Sequence, residues 1–342
     1  VHTWIARDIA DGCRRTRLGE WRGAAWRSSA QRGTPTMVRH LLVEPTARAL
    51  RGVRPLLETH GVIFSYKPPG LAYGTEDGVP GAWAQLRAMQ ESGEVDCERL
   101  IPVHRLDRVT SGLMMAAKTA EAATVLGTLL RERRLPKYYV AVTTAPPKKK
   151  MGTVVGGMVK TRRGAWMLTR REDEPDAVRA TPVASTSFCT AGKLDGDRAV
   201  LIAKPLTGRT HQIRVALKSQ GAPVLGDPLY ARATHAAEER ACLHAAALRL
   251  PAHPALVSAA DLEDGAASLD IVCPPPTHAG GAFGTAAFCD IFGRWFGDDL
   301  GTTTWFHGTA IRSEPPAWRA ESELAKLRRH AEQLDADSDT NL

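Results

Sequence analysis

The amino-acid pattern predicts an α+β fold, with a mixed, largely antiparallel central sheet flanked by helices. Three observations predict it. Strand-like segments follow one another between about residues 138 and 204 with little helix between them. Helical periodicity is confined to a few short segments. No internal repeat divides the 342 residues into equivalent units.

The elements read in order as follows. Residues 61–67 (G-V-I-F-S-Y-K) form a strand, stopped by Pro68-Pro69-Gly70, because neither proline can donate to a sheet ladder. A helix is expected over about 80–90 and a short buried strand over 113–118. Thr119 is placed to cap a helix running to about 134, with Ala122, Val125, Leu126 and Leu129 on its apolar face. Pro136 ends it, and 138–143 is an aromatic and β-branched strand. Pro146-Pro147-Lys148-Lys149-Lys150 reads as an exposed basic loop. Strands follow at about 153–155, 166–169, 181–188 and 198–204, then a helix over 210–220. From about residue 261 the patterning weakens, and Pro274-Pro275-Pro276 with the Gly-rich aromatic segment to Trp305 reads as irregular. The end of the chain reads as a charged helix and a disordered acidic tail. This gives three expected segments: an arm or targeting segment over 1–55, a catalytic domain over 56–258, and a C-terminal extension over 259–342.

The formal charge of +8 and isoelectric point near 9.3 favour a polyanionic partner, because neutralising phosphates releases counterions. No apolar run approaches the roughly 18 residues of a membrane span, so no membrane partner is expected. The six cysteines (13, 97, 189, 242, 273 and 289) include no C-x-x-C pair, which argues for a reducing compartment over a disulfide scaffold or zinc ribbon. Residues 1–40 hold eight arginines, no lysine and three acidic residues. That composition fits an organellar, mitochondrial targeting segment or, equally in composition, an RNA-contacting arm. Val1 stands where a start methionine would, which reads as a processed or truncated start.

Two segments concentrate chemistry. In His104-Arg105-Leu106-Asp107-Arg108-Val109-Thr110-Ser111-Gly112 a carboxylate lies between two arginines, whose charge would hold it ionised, on a loop leading into a strand. In Lys204-Pro205-Leu206-Thr207-Gly208-Arg209-Thr210-His211-Gln212-Ile213-Arg214 basic side chains gather at a helix start, which suits phosphate. Downstream lie Gly226-Asp227-Pro228-Leu229-Tyr230, Leu243-His244-Ala245-Ala246-Ala247-Leu248 and His253-Pro254. His244 reads as a satisfied core histidine, and Asp227 with Tyr230 as a turn and packing device. The runs 131–134, 148–150 and 162–163 read as phosphate-contacting or solvated surface. No metal cluster, P-loop or dinucleotide fingerprint is present.

The order H-R-L-D-x-x-T-S-G, K-x-Y-x-A-V, P-L-T-G-R-T-H-Q-I-R, G-D-P-L-Y, L-H-A-x-x-L and H-P resembles the RluA class of pseudouridine synthases. The resemblance implies that Asp107 is the catalytic aspartate, that Tyr139 stacks on the target base, and that Arg214 pairs with the carboxylate while Ile213 lines the pocket. Period-two alternation lets only one of Tyr138 and Tyr139 face a cleft, and the motif selects Tyr139. Arg105 would hold the flipped nucleotide or nearby backbone. His104, Thr110, Arg209, His211 and Gln212 would support the site or touch RNA. No cofactor or metal is implied. The implied partner is RNA, with large-subunit ribosomal RNA favoured and transfer RNA as the alternative, for a chain monomeric by default. A second expectation is an organellar assembly factor that uses this fold to bind ribosomal RNA in subunit assembly intermediates. Departures from the family pattern are a poor match over 148–182, no histidine shortly after Lys67-Pro68-Pro69-Gly70-Leu71, and a segment beyond about 254 with no counterpart.

Overall fold

The computed structural model describes residues 24–29 and 38–43 as backbone, and 52–169, 183–231, 238, 240–258, 261, 268–276 and 281–296 in full. The charged terminal helix and acidic tail, and most of the arginine-rich arm, lie outside the described residues.

Among the described residues thirteen strands form one branched sheet. Its main run has the order β1 (Ala24–Ser29), β2 (Val38–Val43), β13 (Ser268–Val272), β12 (Leu243–Pro251), β7 (Lys137–Thr143), β11 (Ala199–Pro205), β10 (Ala184–Lys193), β8 (Met151–Lys160) and β9 (Trp166–Thr169). A smaller wing joins β3 (Arg54–Glu58), β4 (Val62–Lys67), β6 (Ser111–Ala117) and β5 (Ile101–Pro102). All pairings are antiparallel except β13 with β2 and β6 with β12, as the consecutive strands predict. The wing meets the main run through two parallel residue pairs, His244↔Ser111 and Ala245↔Gly112. Gly112 has φ +114, and a Cβ there would lie 2.4 Å from the Ala245 carbonyl oxygen, so this close seam requires glycine.

Helix α1 (Ala82–Glu91) follows β4, and α2 (Ala120–Arg131) packs on β6 and β5. Thr119 caps α2 as expected, its hydroxyl accepting from Ala122 N–H at 3.1 Å. Ala122, Leu126 and Leu129 are buried, while Val125 is only partly so. The helix stops at Arg131, well before Pro136. Helix α3 (Gln212–Ser219) packs against β9, β10 and β11.

The strand β7 separates two apolar cores. Tyr139, Ala141, Leu201, Ala203, Ile213 and Leu243 belong to one. Tyr138, Val140, Val142, Val200 and Ile202 face the other, where Phe283, Phe288, Ile291, Phe292 and Phe296 cover them. These last residues correct the expectation of irregular chain after 261. Residues 286–296 form helix α4 (Ala286–Phe296), with buried positions 288, 291, 292 and 296 on one helical face. β13 also inserts between β12 and β2, so strands from both flanking segments lie in the same sheet as 56–258.

Candidate active site

Asp107 lies on the loop between β5 and β6, beside the seam. The loop is held from three directions. Thr110 is buried and its N–H donates to the Asp107 carbonyl at 3.1 Å, closing a turn. Arg108 donates through Nε to the Gly70 carbonyl at 3.1 Å and pairs through Nη1 with Glu76 at 2.9 Å. Lys67, fully buried at the end of β4, donates Nζ to the carbonyls of Pro68 at 2.7 Å, Leu71 at 2.8 Å and Arg108 at 3.2 Å. Burial pulls the Lys67 ammonium down to about 7, and the Asp107 charge opposes that fall. The sequence reading overlooked Lys67, since a lysine closing a strand reads as exposed.

The two arginines flanking Asp107 in sequence are not its ion-pair partners. Arg108 turns away to Glu76, and Arg105 is exposed at the cavity wall. The partner is Arg214 in the first turn of α3, whose Nη1 lies 3.4 Å from Asp107 Oδ2. Arg214 is 2% exposed and is itself gripped by Asp227, with Nε to Oδ2 at 2.7 Å and Nη2 to Oδ1 at 2.9 Å. The Asp227 carboxylate is fully buried and also accepts from Leu229 and Tyr230 N–H. Tyr230 lays its ring 5.0 Å from the Arg214 guanidinium carbon. Burial alone would lower the Arg214 pKa. The hydrogen bonds and charge of Asp227, with the charge of Asp107, outweigh it and raise the pKa. Asp227 and Tyr230 thus do more than close a turn: they fix the guanidinium that reaches Asp107.

Asp107, Tyr139, Ile213, Thr110, Arg105, His104 and Arg209 all line one cavity of about 280 Å³. Tyr139 faces it and Tyr138 faces the opposite core, as period-two alternation and the motif require. Burial and the Asp107 charge push the Tyr139 phenol up, so it stays neutral. Lys137, two residues before Tyr139, is on the same wall, and burial lowers its ammonium. The His104 ring is enclosed and depressed to about 3 by burial and by Lys137. Its Nε2 accepts from Met115 N–H at 3.1 Å, so it braces the loop against β6 as a neutral ring.

Gln212 and His211 are both held by side-chain hydrogen bonds that support the site. Gln212 Oε1 accepts from Thr207 Oγ1 at 2.6 Å and Arg209 N–H at 3.0 Å, and its Nε2 donates to Ser185 O and Thr186 Oγ1 at 2.9 and 2.8 Å. These four bonds strap the 207–209 turn to β10. His211 takes the left-handed conformation at φ 58, and its Nδ1 lies 2.9 Å from Tyr230 Oη, behind the cavity. Burial and Arg214 lower its pKa. His244 is a core residue as expected, bonded at Nδ1 to Ser111 Oγ and at Nε2 to the Cys273 carbonyl, both at 2.8 Å. Among the described residues no group of three or more His, Cys, Asp or Glu is arranged to hold a metal ion, and no helix is long and apolar enough to cross a membrane.

The arrangement offers an ion-paired carboxylate, an apolar and aromatic slot, and a basic wall of Arg105, Arg133, Lys137 and Arg209, with Asp107 the one acid among the described lining residues. The comparisons with known proteins agree with it. Residues 61–219 match the model for RNA pseudouridylate synthase. An uncharacterized RNA pseudouridine synthase of Haemophilus influenzae is 42% identical over 146 residues, 43% of this chain and 61% of that protein. The ribosomal large subunit pseudouridine synthase C of Rickettsia conorii is 34% identical over 37% of this chain and 41% of its own length. The chain thus spans less than two thirds of the length of either relative. The solved structure of human RNA pseudouridylate synthase domain containing 1 shares the fold, with a TM-score of 0.51 and 21% identity over 68% of this chain and 86% of that one. Residues 61–219 thus match the RNA pseudouridylate synthase model and are similar in sequence to these RNA pseudouridine synthases, whose fold the chain shares.

Proposed function

We propose that the chain isomerises specific uridines in structured RNA to pseudouridine, with large-subunit ribosomal RNA as substrate. The observation that carries this reading is Asp107, ion-paired to the buried Arg214, in a cavity walled by Tyr139 and Ile213 and dominated by basic residues. A base cannot turn within a helix, so the nucleotide is first flipped into the cavity. Breaking the bond between the anomeric carbon and the base nitrogen builds positive charge on the sugar, and a carboxylate answers that charge, as it does in glycosidases. Arg214 keeps Asp107 ionised and aimed. The Tyr139 ring supports the uracil while it turns and rejoins through carbon, a stacking contact worth roughly 1–3 kcal/mol. The basic wall takes the flanking phosphates. The name of the Rickettsia relative favours ribosomal RNA, and the arginine-rich composition of 1–40 favours an organellar ribosome as the setting.

The test is pseudouridine mapping by chemical labelling in cells carrying the wild-type chain or Asp107→Asn. A uridine labelled only with the wild type establishes the reaction, the carboxylate and the substrate together. Identical maps, with ribosome assembly stalled when the protein is depleted, replace the enzyme reading with that of an RNA-binding assembly factor.

A further inference from the structure

Helices α1, α2 and α3 each end on a left-handed residue just past the cap, and in one of the three that residue is not glycine. After α1 the residue past the cap is Gly93, at φ 78, and after α3 it is Gly221, at φ 77. Both use glycine where the chain turns left-handed, the residue with no side chain to strain. After α2 the same position is Arg133, at φ 59. The turn there is complete: Arg133 N–H donates to the Leu130 carbonyl at 3.3 Å and Arg134 N–H to the Leu129 carbonyl at 2.8 Å. An arginine is held where the other two helix ends place glycine, a conformation that disfavours side chains and that Asp77, Arg163 and His211 also take in this fold.

What the side chain gains is its location. Arg133 lines the Asp107 cavity with Leu130, Leu135, Pro136 and Lys137. Its neighbours in the run 131–134 do not. Arg131 donates to Thr128 Oγ1 at 2.9 Å, and Arg134 pairs with Glu132 at 3.1 Å on an exposed surface. Backbone strain of this kind persists where the side chain it presents is used. We propose that Arg133 is a substrate-positioning residue that binds an RNA phosphate adjoining the flipped nucleotide, presented to the cavity by the left-handed turn closing α2. The assignment rests on the reading of the cavity as an RNA site. A guanidinium beside an apolar wall formed by Leu130, Leu135 and Pro136 suits a nucleotide, with the phosphate on the charge and the sugar and base along the wall.

Glycine substitution gives a test in which a binding role and a structural role predict opposite results. Arg133→Gly removes the guanidinium and restores the residue the turn prefers. Binding of a fluorescein-labelled RNA hairpin with a uridine-bearing loop would be measured for the full chain across a series of KCl concentrations, beside the thermal melt. The expected result is at least a fivefold loss of affinity. The log–log salt slope should flatten by about 0.7–0.9, with a melting temperature unchanged or raised. Arg133→Lys should recover most of the affinity, and Arg134→Ala should leave it within twofold of wild type. The assignment is overturned if Arg133→Gly binds as the wild type does, if Arg134→Ala costs as much, or if the loss comes with a lowered melting temperature that Arg133→Lys does not repair. Absence of binding by the wild-type chain overturns it together with the RNA reading. Binding without pseudouridine formation, with the Arg133 effects intact, leaves it standing and removes only the enzymatic reading.

Discussion

The two faces of β7 differ by a single step in the chain. Tyr138 faces a layer of phenylalanines, with Phe283 and Phe288 centroids 4.8 Å apart and Phe292 and Phe296 4.7 Å apart, and the Lys204 ammonium lies 5.5 Å from its ring centroid. Tyr139 looks into an open cavity with an ion pair and a basic wall. The apolar face excludes water and contributes stability through burial. The other leaves Asp107 18% exposed and supports it with polar groups that are themselves buried, namely Asp227, Gln212 and Lys67. The sheet thereby separates stability from chemistry by the period-two alternation of its strands.

That separation can be broken one residue at a time. Asp107→Asn should lower pseudouridine formation by more than about 10²-fold, with a urea unfolding midpoint close to wild type. A large stability loss would mean that Asp107 belongs to the scaffold. On the phenylalanine face, Phe288→Ala should cost about 3–5 kcal/mol in equilibrium unfolding, while the folded fraction keeps its turnover. Asp227→Asn crosses the divide. Breaking the buried pair with Arg214 should cost about 3–5 kcal/mol and also depress kcat, because Arg214 loses its anchor. Normal kcat in the folded variant would show that Arg214 needs no such hold.

The tyrosines give a smaller and more direct contrast. Tyr139→Leu should lose about 1–3 kcal/mol of transition-state stabilisation, read in single-turnover rates, with little change in unfolding. Tyr138→Leu should do the reverse.

A further effect is spread over pH. His104 and His244 are both held near 3 in the folded protein by burial, below the ordinary histidine value of 6.5. The unfolded chain therefore binds more protons between those values, so stability is full above pH 6.5 and falls on acidification towards pH 3. The slope is up to about 1.4 kcal/mol per pH unit for each histidine. His244→Gln should flatten the acid limb by one of these contributions. An unchanged limb would show that His244 does not titrate on unfolding.

What could be read from sequence was local. The Thr119 cap, the 166–169 strand and the Tyr138/Tyr139 alternation depend on neighbours a few residues away. The motifs named Asp107, Tyr139 and Arg214, and the structure brings all three together. What escaped was set by distant partners. Asp227 sits in a Gly-Asp-Pro sequence whose turn signal masks its bidentate hold on Arg214. Lys67 becomes a buried strut only once the loops at 68–71 and 108 converge on its ammonium. Helix α4 was hidden because glycines and aromatics around it dilute the apolar spacing, which is recognisable only against the face it covers.

The seam between the wing and the main sheet has a consequence for how the molecule comes into being. Ser111 and His244, which meet there, are separated by 133 positions in the chain, and Asp107 and Arg214 by 107. Contacts of such span form late, since the entropy of closing the intervening loops must be overcome first. Neither the wing nor the main sheet holds the cavity alone. A growing or half-folded chain therefore has no complete cavity until the last strands have locked into register.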